Sequence, residues 1–498
     1  MSETLASEGG VTAGRAGADP RRWWALAVLS LATLMVVLDA TVVNVALPQA
    51  QNDLHISVAN RQWVVTAYTL PFGGLLLLGG RIADYSGRKR AFLIGLAGFA
   101  VASAIGGAAT GQSMLFAARA LQGTFAALLA PASLSLLNTT FTDRRERATA
   151  FGVYGAVLGA GSAVGLLAGG LLTNYLDWRW CLYINIPIAA VAFFGAFPLI
   201  RESRATGVTR YDAPGALLIT AGLALLVYGF AEAADGGWDS GGTVGSLVAG
   251  GVLIIAFVAV QLRTRYPLLP LHVVLNRNRG GAFLSSLLIF LAMMGMFLFQ
   301  TYYLQGVLGY SALKTGLALL PLTLVVVVGA GVVTALMRVV PPRTIITVSF
   351  LVCAVALVWF SRIGADTSYV SHVLGPEIVV GLGMAGILVP ATNLALLGVG
   401  GEDSGVASGL VSAAQQVGGS IGTALLNTIA AEATANYLSS HPVTDPALGG
   451  LTMAEGAVHG YSVGFLWAAA FFAAGALVSL VLVRASSKET AGAGMATT

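Results

Sequence analysis

The sequence predicts an all-α membrane protein of fourteen spans, and three observations carry that prediction. Hydrophobic residues fill 56% of its 498 positions and charged residues only 10%, whereas soluble domains carry about 25% charge. Mean hydropathy is +0.82, and apolar windows recur at the length of about 20 residues that a bilayer-crossing helix needs. The 63 glycines suit helices packed in lipid, where small residues let backbones approach closely.

The windows place spans near 23–47, 61–81, 91–110, 113–138, 148–172, 181–200, 213–232, 244–264, 281–304, 314–336, 343–361, 374–396, 404–429 and 461–483. The basic residues alternate with them. With the N-terminus cytoplasmic, the loops holding Arg81, Arg88, Lys89, Arg90, Arg144, Arg145 and Arg147 fall inside, as do Arg201, Arg277, Arg279 and Arg484. Only Arg61, Arg179, Lys314 and Arg362 fall outside, and Arg119 lies within a span. That asymmetry satisfies the positive-inside rule and puts both termini in the cytoplasm. The pair Arg21–Arg22 before an apolar run mimics a signal peptide, but the run is too long and has no convincing cleavage site. It reads as an uncleaved first span.

The expected organisation is a cytoplasmic tail at 1–22, six spans in 23–200, two inserted spans and a cytoplasmic linker in 201–280, six spans in 281–485, and a tail at 486–498. An internal echo supports two related halves: FGVYGAVLGAGSAVGLLAGG in span five and GVASGLVSAAQQVGGSIGTA in span thirteen. Related halves around a midplane site are a transporter pattern. The inserted spans are almost wholly apolar, which suits lipid contact or packing in the seam between the halves rather than a wet site. The external segment 430–460 reads as a short helix or hairpin over a mouth, or as a plain solvated loop.

Composition also narrows the chemistry. The cysteines, Cys181 and Cys353, sit in apolar segments and suggest neither a disulfide framework nor a metal site. The five histidines fall in loops or at helix ends. No GxxxxGK[ST] phosphate loop is present, which argues against ATP-driven pumping by this chain. No enzyme activity, cofactor or nucleic-acid partner is expected; lipid is the surrounding solvent, and the oligomeric state is not legible.

In span one, Asp39 lies about eight residues, or about 12 Å, from the Pro48 end. A carboxylate at that depth costs about 2.5 kcal/mol or more, so it should face protein or water, or pick up a proton. The plain alternative is a packing Asp bonded to Thr41 or Asn44. After span two, Gly80-Arg81-Ile82-Ala83-Asp84-Tyr85-Ser86-Gly87-Arg88-Lys89-Arg90 offers Gly80 for close helix approach, Gly87 for a tight turn, and Asp84 among four bases. In span four, Arg119-Ala120-Leu121-Gln122-Gly123 buries an arginine that needs an acid, water or carbonyl partners. Span five spaces Gly152, Gly161, Gly165, Gly169 and Gly170 along a groove. Glu377 follows Gly375-Pro376 at the external start of span twelve, where Pro and an acid in the first turn complement the helix dipole. There it should reach interfacial water, as a structural acid or a vestibule site for cations. Candidate substrate contacts are Asn44, Tyr68, Gln122, Tyr154, Phe297, Gln300, Tyr303, Glu377 and Asn393, since aromatic faces attract cations and amides orient polar groups. Met293, Met294 and Met296 can repack around varied shapes.

These motifs resemble a known family. The loop at 80–90 is similar to the GxLaDrxGrkr signature of the major facilitator superfamily, and Arg119 to Gly123 matches its RxxQG pattern. The span-five glycines match its antiporter motif, except that Leu166 stands where the family has Pro, leaving the bend in doubt. The runs LDATVVNVALP, WRWCLYINIPI and TGLALLP look like the fourteen-span drug:proton antiporter branch, the EmrB/QacA type. The resemblance implies the major facilitator fold, two six-helix bundles plus two inserted spans, rocking about a central cavity. It implies a multi-pass protein of the bacterial cytoplasmic membrane that exports a small drug-like compound, lipophilic and often cationic, in exchange for protons. It further implies proton coupling at Asp39 and Arg119, gating by Gly80, Asp84, Gly87, Arg88 and Lys89, and control of direction by the span-five glycines. A metabolite or nutrient symporter and a non-transport membrane sensor are the rival readings.

Overall fold

The computed structural model describes residues 21–485 apart from 59, 142, 205–211, 265–266, 270, 398, 400–403 and 443–448. The two tails, and parts of the 201–280 and 430–460 segments, therefore lie outside the described residues. The helices are α1 (Arg22–Asp53), α2 (Trp63–Ser86), α3 (Arg88–Gly107), α4 (Gln112–Thr140) and α5 (Arg144–Tyr175). The short α6 (Trp180–Tyr183) leads into α7 (Asn185–Leu199), followed by α8 (Ala213–Gly236), α9 (Gly241–Arg263) and the short α10 (Leu271–Val274). The second half holds α11 (Arg277–Tyr302), α12 (Ala312–Leu336), α13 (Pro342–Phe360), α14 (Gly375–Leu396), α15 (Ser404–Ser440) and α16 (Gly449–Leu482). Thirteen stretches among the described residues are long and apolar enough to cross a membrane, and α15, with 37 residues, adds a fourteenth of that length.

The all-α prediction holds because lipid leaves a backbone no hydrogen-bond partner outside its own segment. Helix ends are tied off by side chains: Asn276 accepts from the Asn278 and Arg279 N–H groups, Ser311 from Lys314 N–H, and Asp212 from Gly215 N–H. Two π-helical turns interrupt the pattern, Tyr303–Val307 after α11 and Val370–Leu374 before α14.

The helices α1–α7 make one bundle and α11–α16 the other, and the echo between spans five and thirteen has a structural counterpart. In each half the fifth long helix packs on the first of its own half and on the second of the other: α5 on α1 and α12, α15 on α11 and α2. Glycine permits both contacts. A Cβ on Gly169 of α5 would lie 3.0 Å from the Val42 carbonyl of α1, and one on Gly418 or Gly422 of α15 would run into the Leu287 or Leu291 carbonyl of α11. Gly161 and Gly165 also face α1, Gly170 faces the start of α12, and Gly152 faces open space. With Leu166 in place of Pro, α5 runs unbroken from Arg144 to Tyr175.

Four expectations need adjusting. Close approach of α2 to α4 falls on Gly79, which abuts the Ala127 carbonyl, while Gly80 makes ordinary contact with Pro131. The helical phase decides this, since adjacent residues point about 100° apart. Much of segment 430–460 is helix rather than loop: α15 runs to Ser440 and α16 starts at Gly449, with Gly456 against Leu438 and Gly460 against Thr434. Apolar windows end where polar residues begin, but a helix continues while its neighbour supplies packing. Glu377 lies deeper than expected, because the π-helical turn at 370–374 extends α14 outward beyond Pro376. Asp39 bonds neither Thr41 nor Asn44; Thr41 hydrogen-bonds the Val37 and Leu38 carbonyls, and Asn44 the Ala40 carbonyl.

The inserted pair packs on one flank. Leu223 and Val227 of α8 cluster with Leu70 of α2 and Ala424 of α15, so α8 touches both bundles. Thr428 of α15 donates to the Phe230 carbonyl at 2.6 Å. The outer helix α9 exposes Val244, Val248, Val252, Ile255 and Leu262, a face suited to lipid.

The glycine contacts lead to a stability prediction. Alanine is the better helix former by about 1 kcal/mol, so Gly422→Ala would stabilise α15 if space allowed. The Leu291 carbonyl leaves none. Gly422→Ala is expected to destabilise by about 1–3 kcal/mol through overpacking, whereas Gly152→Ala should leave the melting temperature in detergent unchanged or raised. A melting temperature for Gly422→Ala at or above wild type would show that the contact is not tight.

Candidate functional site

The deepest polar cluster sits inside the first bundle. Asp39 of α1 is fully buried, and Arg119 of α4 is 1% exposed. Arg119 Nη1 donates to Asp39 Oδ2 at 2.6 Å. Asp39 Oδ1 accepts from Gln122 Nε2 at 2.9 Å and from Asn185 Nδ2 of α7 at 2.7 Å. The network continues outward: Arg119 Nη1 also donates to Gln122 Oε1 at 2.9 Å, Arg119 Nε to the Val64 carbonyl at 3.0 Å, and Gln122 Nε2 to Ser103 Oγ at 2.8 Å. The guanidinium lies 4.4 Å from the centre of the Tyr68 ring. A buried charge pair is tolerable only when its remaining donors and acceptors are met, and these nearly are. Two acceptors beside it are left over, for Asn185 Oδ1 and the Tyr68 hydroxyl are buried without a partner.

All of these partners belong to the first bundle, so Asp39 does not face the space between the bundles. A narrow apolar cleft, with room for about one water, touches Arg119 instead. Its walls include Val43 and Leu47 of α1, Val64 of α2, Leu115 of α4, and Trp178 and Cys181 near α6, all on the side away from the basic loops.

At the basic end, Gly87 adopts φ 116°, which a residue with a side chain rarely does, and so makes the turn between α2 and α3. Arg88 donates to Asp84 at 2.8 Å one turn away. Lys89 Nζ donates to the Phe197 carbonyl at 2.7 Å. Glu202 accepts from the Lys89 and Arg90 N–H groups at 3.0 and 3.2 Å, capping α3 and fastening the segment after α7 to it. Arg22 pairs with Glu146 at 2.6 Å, tying α1 to α5.

The bonds that join the two bundles gather at the far end or mid-height. Arg61, 4% exposed at the start of α2, donates to Asn427 Oδ1 of α15 at 2.8 Å and lies 4.1 Å from the centre of the Tyr302 ring. Asn427 donates back to the Val58 carbonyl at 3.1 Å. Tyr302 donates to Gln51, and Gln305 to the Val45 carbonyl at 2.8 Å. Thr69 and Ser420 meet at 2.6 Å. The protein is thus fastened shut at the far end.

In the second bundle Glu377 is fully buried, contacted by Gln300 and Tyr369. The remaining candidates scatter. Tyr303 is held at the far end by Thr367 and the Gly364 carbonyl. Asn393 is exposed and bonds the Val389 carbonyl of its own helix. Tyr154 is buried and Phe297 half-buried. Four residues central to this geometry were not singled out from sequence: Asn185, Ser103, Glu202 and Arg61. Asn185 carried a readable signal, being one amide between Ile184 and Ile186 in a spanning segment. Arg61 carried none beyond its charge.

Comparison with known proteins agrees with this arrangement. The chain is 50% identical over 472 residues to a puromycin resistance protein from Streptomyces alboniger, covering 94% of this chain and 92% of that one. It is 39% identical over 424 residues to the cephamycin export protein CmcT of Amycolatopsis lactamdurans, covering 84% and 87%. It is 33% identical over 416 residues to a tetracenomycin C resistance and export protein of Streptomyces glaucescens, covering 83% and 77%. Among solved structures, an inward-facing, unoccupied bacterial homologue of the human lysosomal transporter Spinster superposes with a TM-score of 0.65 at 17% identity, over 94% of this chain and all of that one, a likeness of fold. The sequence model of the Major Facilitator Superfamily matches residues 29–423. With two bundles of six helices, a charge pair buried in the first and antibiotic resistance and export proteins among its relatives, this chain belongs to the Major Facilitator Superfamily.

Proposed function

We propose that this protein is a proton-coupled exporter of lipophilic, often cationic, drug-like compounds, working by alternating access in a bacterial cytoplasmic membrane. Its basic end and both termini face the cytoplasm, as the positive-inside rule requires. The far end, fastened by Arg61 and Asn427, faces outside, so the conformation is closed to the exterior. The relatives named for puromycin, cephamycin and tetracenomycin C support an antibiotic as cargo and make puromycin the first compound to test.

One observation carries the coupling: the Asp39–Arg119 pair is buried in one bundle, beside a cleft on the far side. A proton entering from outside neutralises Asp39 and frees Arg119 from its acid. The guanidinium then needs new acceptors, and in the same cluster Asn185 Oδ1 and the Tyr68 hydroxyl are buried with no partner among the described residues. Because the pair and Asn185 tie α1, α4 and α7 together, its rearrangement shifts α1, which also touches α11 and α12 of the other bundle. Proton and cargo thus compete through helix position rather than for one carboxylate. A ligand moves such an equilibrium only by its differential affinity for the two states, and the loss of a buried ion pair supplies that difference. The glycines of α5 let α1 slide against it.

Three variants test this. Asp39→Asn is expected to abolish puromycin accumulation driven by an imposed pH gradient in inside-out vesicles while sparing puromycin–puromycin exchange; normal gradient-driven accumulation would remove Asp39 from the coupling. Arg119→Ala strands a buried carboxylate at a cost of about 3–5 kcal/mol, so transport and melting temperature should both fall further than in Arg119→Lys. Equal, near-normal activity of the two would make Arg119 a packing residue. Arg61→Ala loosens the far-end closure, so Val45→Cys should be labelled several-fold faster by an impermeant maleimide in that background. Unchanged labelling would show that Arg61 does not hold the gate.

A further inference from the structure

The second bundle holds an acid whose hydrogens can be counted. Glu377 is fully buried, and among the described residues no ion pair reaches it. Its Oε2 lies 3.0 Å from the Tyr369 hydroxyl, which also lies 2.8 Å from the Ala318 carbonyl oxygen of α12. A carbonyl oxygen only accepts, and a tyrosine hydroxyl has one hydrogen. Given to Ala318 across the shorter distance, that hydrogen leaves the Tyr369 oxygen as an acceptor. The hydrogen between Tyr369 and Glu377 then has to come from the carboxyl.

The other side of the carboxyl agrees. It touches the Gln300 side-chain amide, whose oxygen is buried without a partner. Amide oxygen and nitrogen are told apart only by their hydrogen bonds. With the one carboxyl hydrogen given to Tyr369, the Gln300 amide keeps its nitrogen toward the other carboxyl oxygen and donates to it. A protonated acid thus donates to Tyr369 and accepts from Gln300, whereas an ionised one would be buried with no cation paired to it among the described residues.

The contrast with the first bundle is sharp. There the acid sits on the first helix of its half and an arginine on the fourth. In the second bundle the acid sits on the fourth helix, α14, and an amide on the first, α11. One carboxyl is balanced by a guanidinium, the other by its own proton.

We propose that Glu377 is a second proton-binding site, loaded in this exterior-closed state and reached from the far end through Tyr369. The Tyr369 ring lies 6.5 Å from that of Tyr310, over which Lys314 Nζ sits at 3.6 Å on the exposed start of α12. Other ionisable groups on the surrounding elements are Tyr302, Tyr303, Cys353, Arg362, Asp366, His372, Glu432 and Tyr437, with Arg277, Arg279 and Arg343 at the basic end, and among these and the groups above only Tyr369 is recorded in contact with the carboxyl. The step makes or breaks one O–H bond on Glu377. The proton is taken from exterior water by way of the Tyr369 hydroxyl, and returns to water when rocking of the bundles opens the site toward the cytoplasm. This role in the cycle rests on the antiport reading above; the protonation itself does not.

Infrared spectroscopy of the full chain in lipid nanodiscs tests the site without any cargo. At pH 7 the wild type is expected to show the C=O band of a buried neutral carboxyl, fading as pH rises. Glu377→Gln should remove the band, Asp39→Asn should keep it, and Tyr369→Phe should keep it at a shifted frequency while leaving the fold intact. A band unaffected by Glu377→Gln, or lost in Asp39→Asn, would overturn the proposal. In proteoliposomes, losing one coupled proton lowers attainable puromycin accumulation about tenfold per pH unit of gradient, which is the drop expected for Glu377→Gln with puromycin–puromycin exchange preserved. Wild-type accumulation retained in that variant would remove Glu377 from the cycle. A wild type blind to the gradient, with the infrared band still removed by Glu377→Gln, would overturn the antiport reading and uphold the proton site.

Discussion

A carboxylate cannot rest in hydrocarbon without donors, and in the first bundle that requirement fixes three helices at once. Asp39 draws Arg119 and Gln122 from α4 and Asn185 from α7 onto one side of α1. The opposite side of α1 is left for the small residues of α5, where Gly161, Gly165 and Gly169 admit its backbone. One face of α1 is thus polar and specific, and the other smooth. The helix is held by polar bonds on one side and by close glycine packing on the other.

The two bundles share an architecture and differ in electrostatics. Each packs its fifth long helix on its first through glycine, and each links its first and fourth helices by a buried polar contact. In the first the link is ionic. In the second it joins an acid, an amide and a tyrosine, with no arginine. The halves therefore answer a proton differently: one would lose an ion pair on gaining it, and the other would acquire an unpaired charge on releasing it.

Closure at the far end follows from the same economy of polar groups. Among the described residues Arg61 is buried without a carboxylate, and its charge is met by Asn427 and the Tyr302 face, both across the bundle boundary. A cation satisfied only across a boundary holds it shut while dry and is solvated readily once water enters. Neutral partners of this kind cost less to separate than a buried salt bridge of similar geometry.

The sequence by itself determined the class, the span count, the basic loops and the depth of Asp39, because each depends on composition or on distance along one helix. The motifs at 80–90 and 119–123 were legible for the same reason, since a turn and a helix carry their own spacing. Tertiary structure decided whatever required two helices to meet. That Asp39 pairs with Arg119, 80 positions away, and also reaches Asn185 depends on the rotation of α1, α4 and α7, which hydropathy does not encode in a membrane where most faces are apolar. The rotation of α2 likewise put the close contact on Gly79 instead of Gly80. Glu377 read as an interfacial acid because Gly375-Pro376 looks like a helix start. A π-helical turn added before it sinks the carboxyl beneath a layer of protein, where Gln300 and Tyr369 are its hydrogen-bond partners among the described residues. Spacing along the chain sets how deep a residue lies on its helix, but packing sets which way it points and what it meets there.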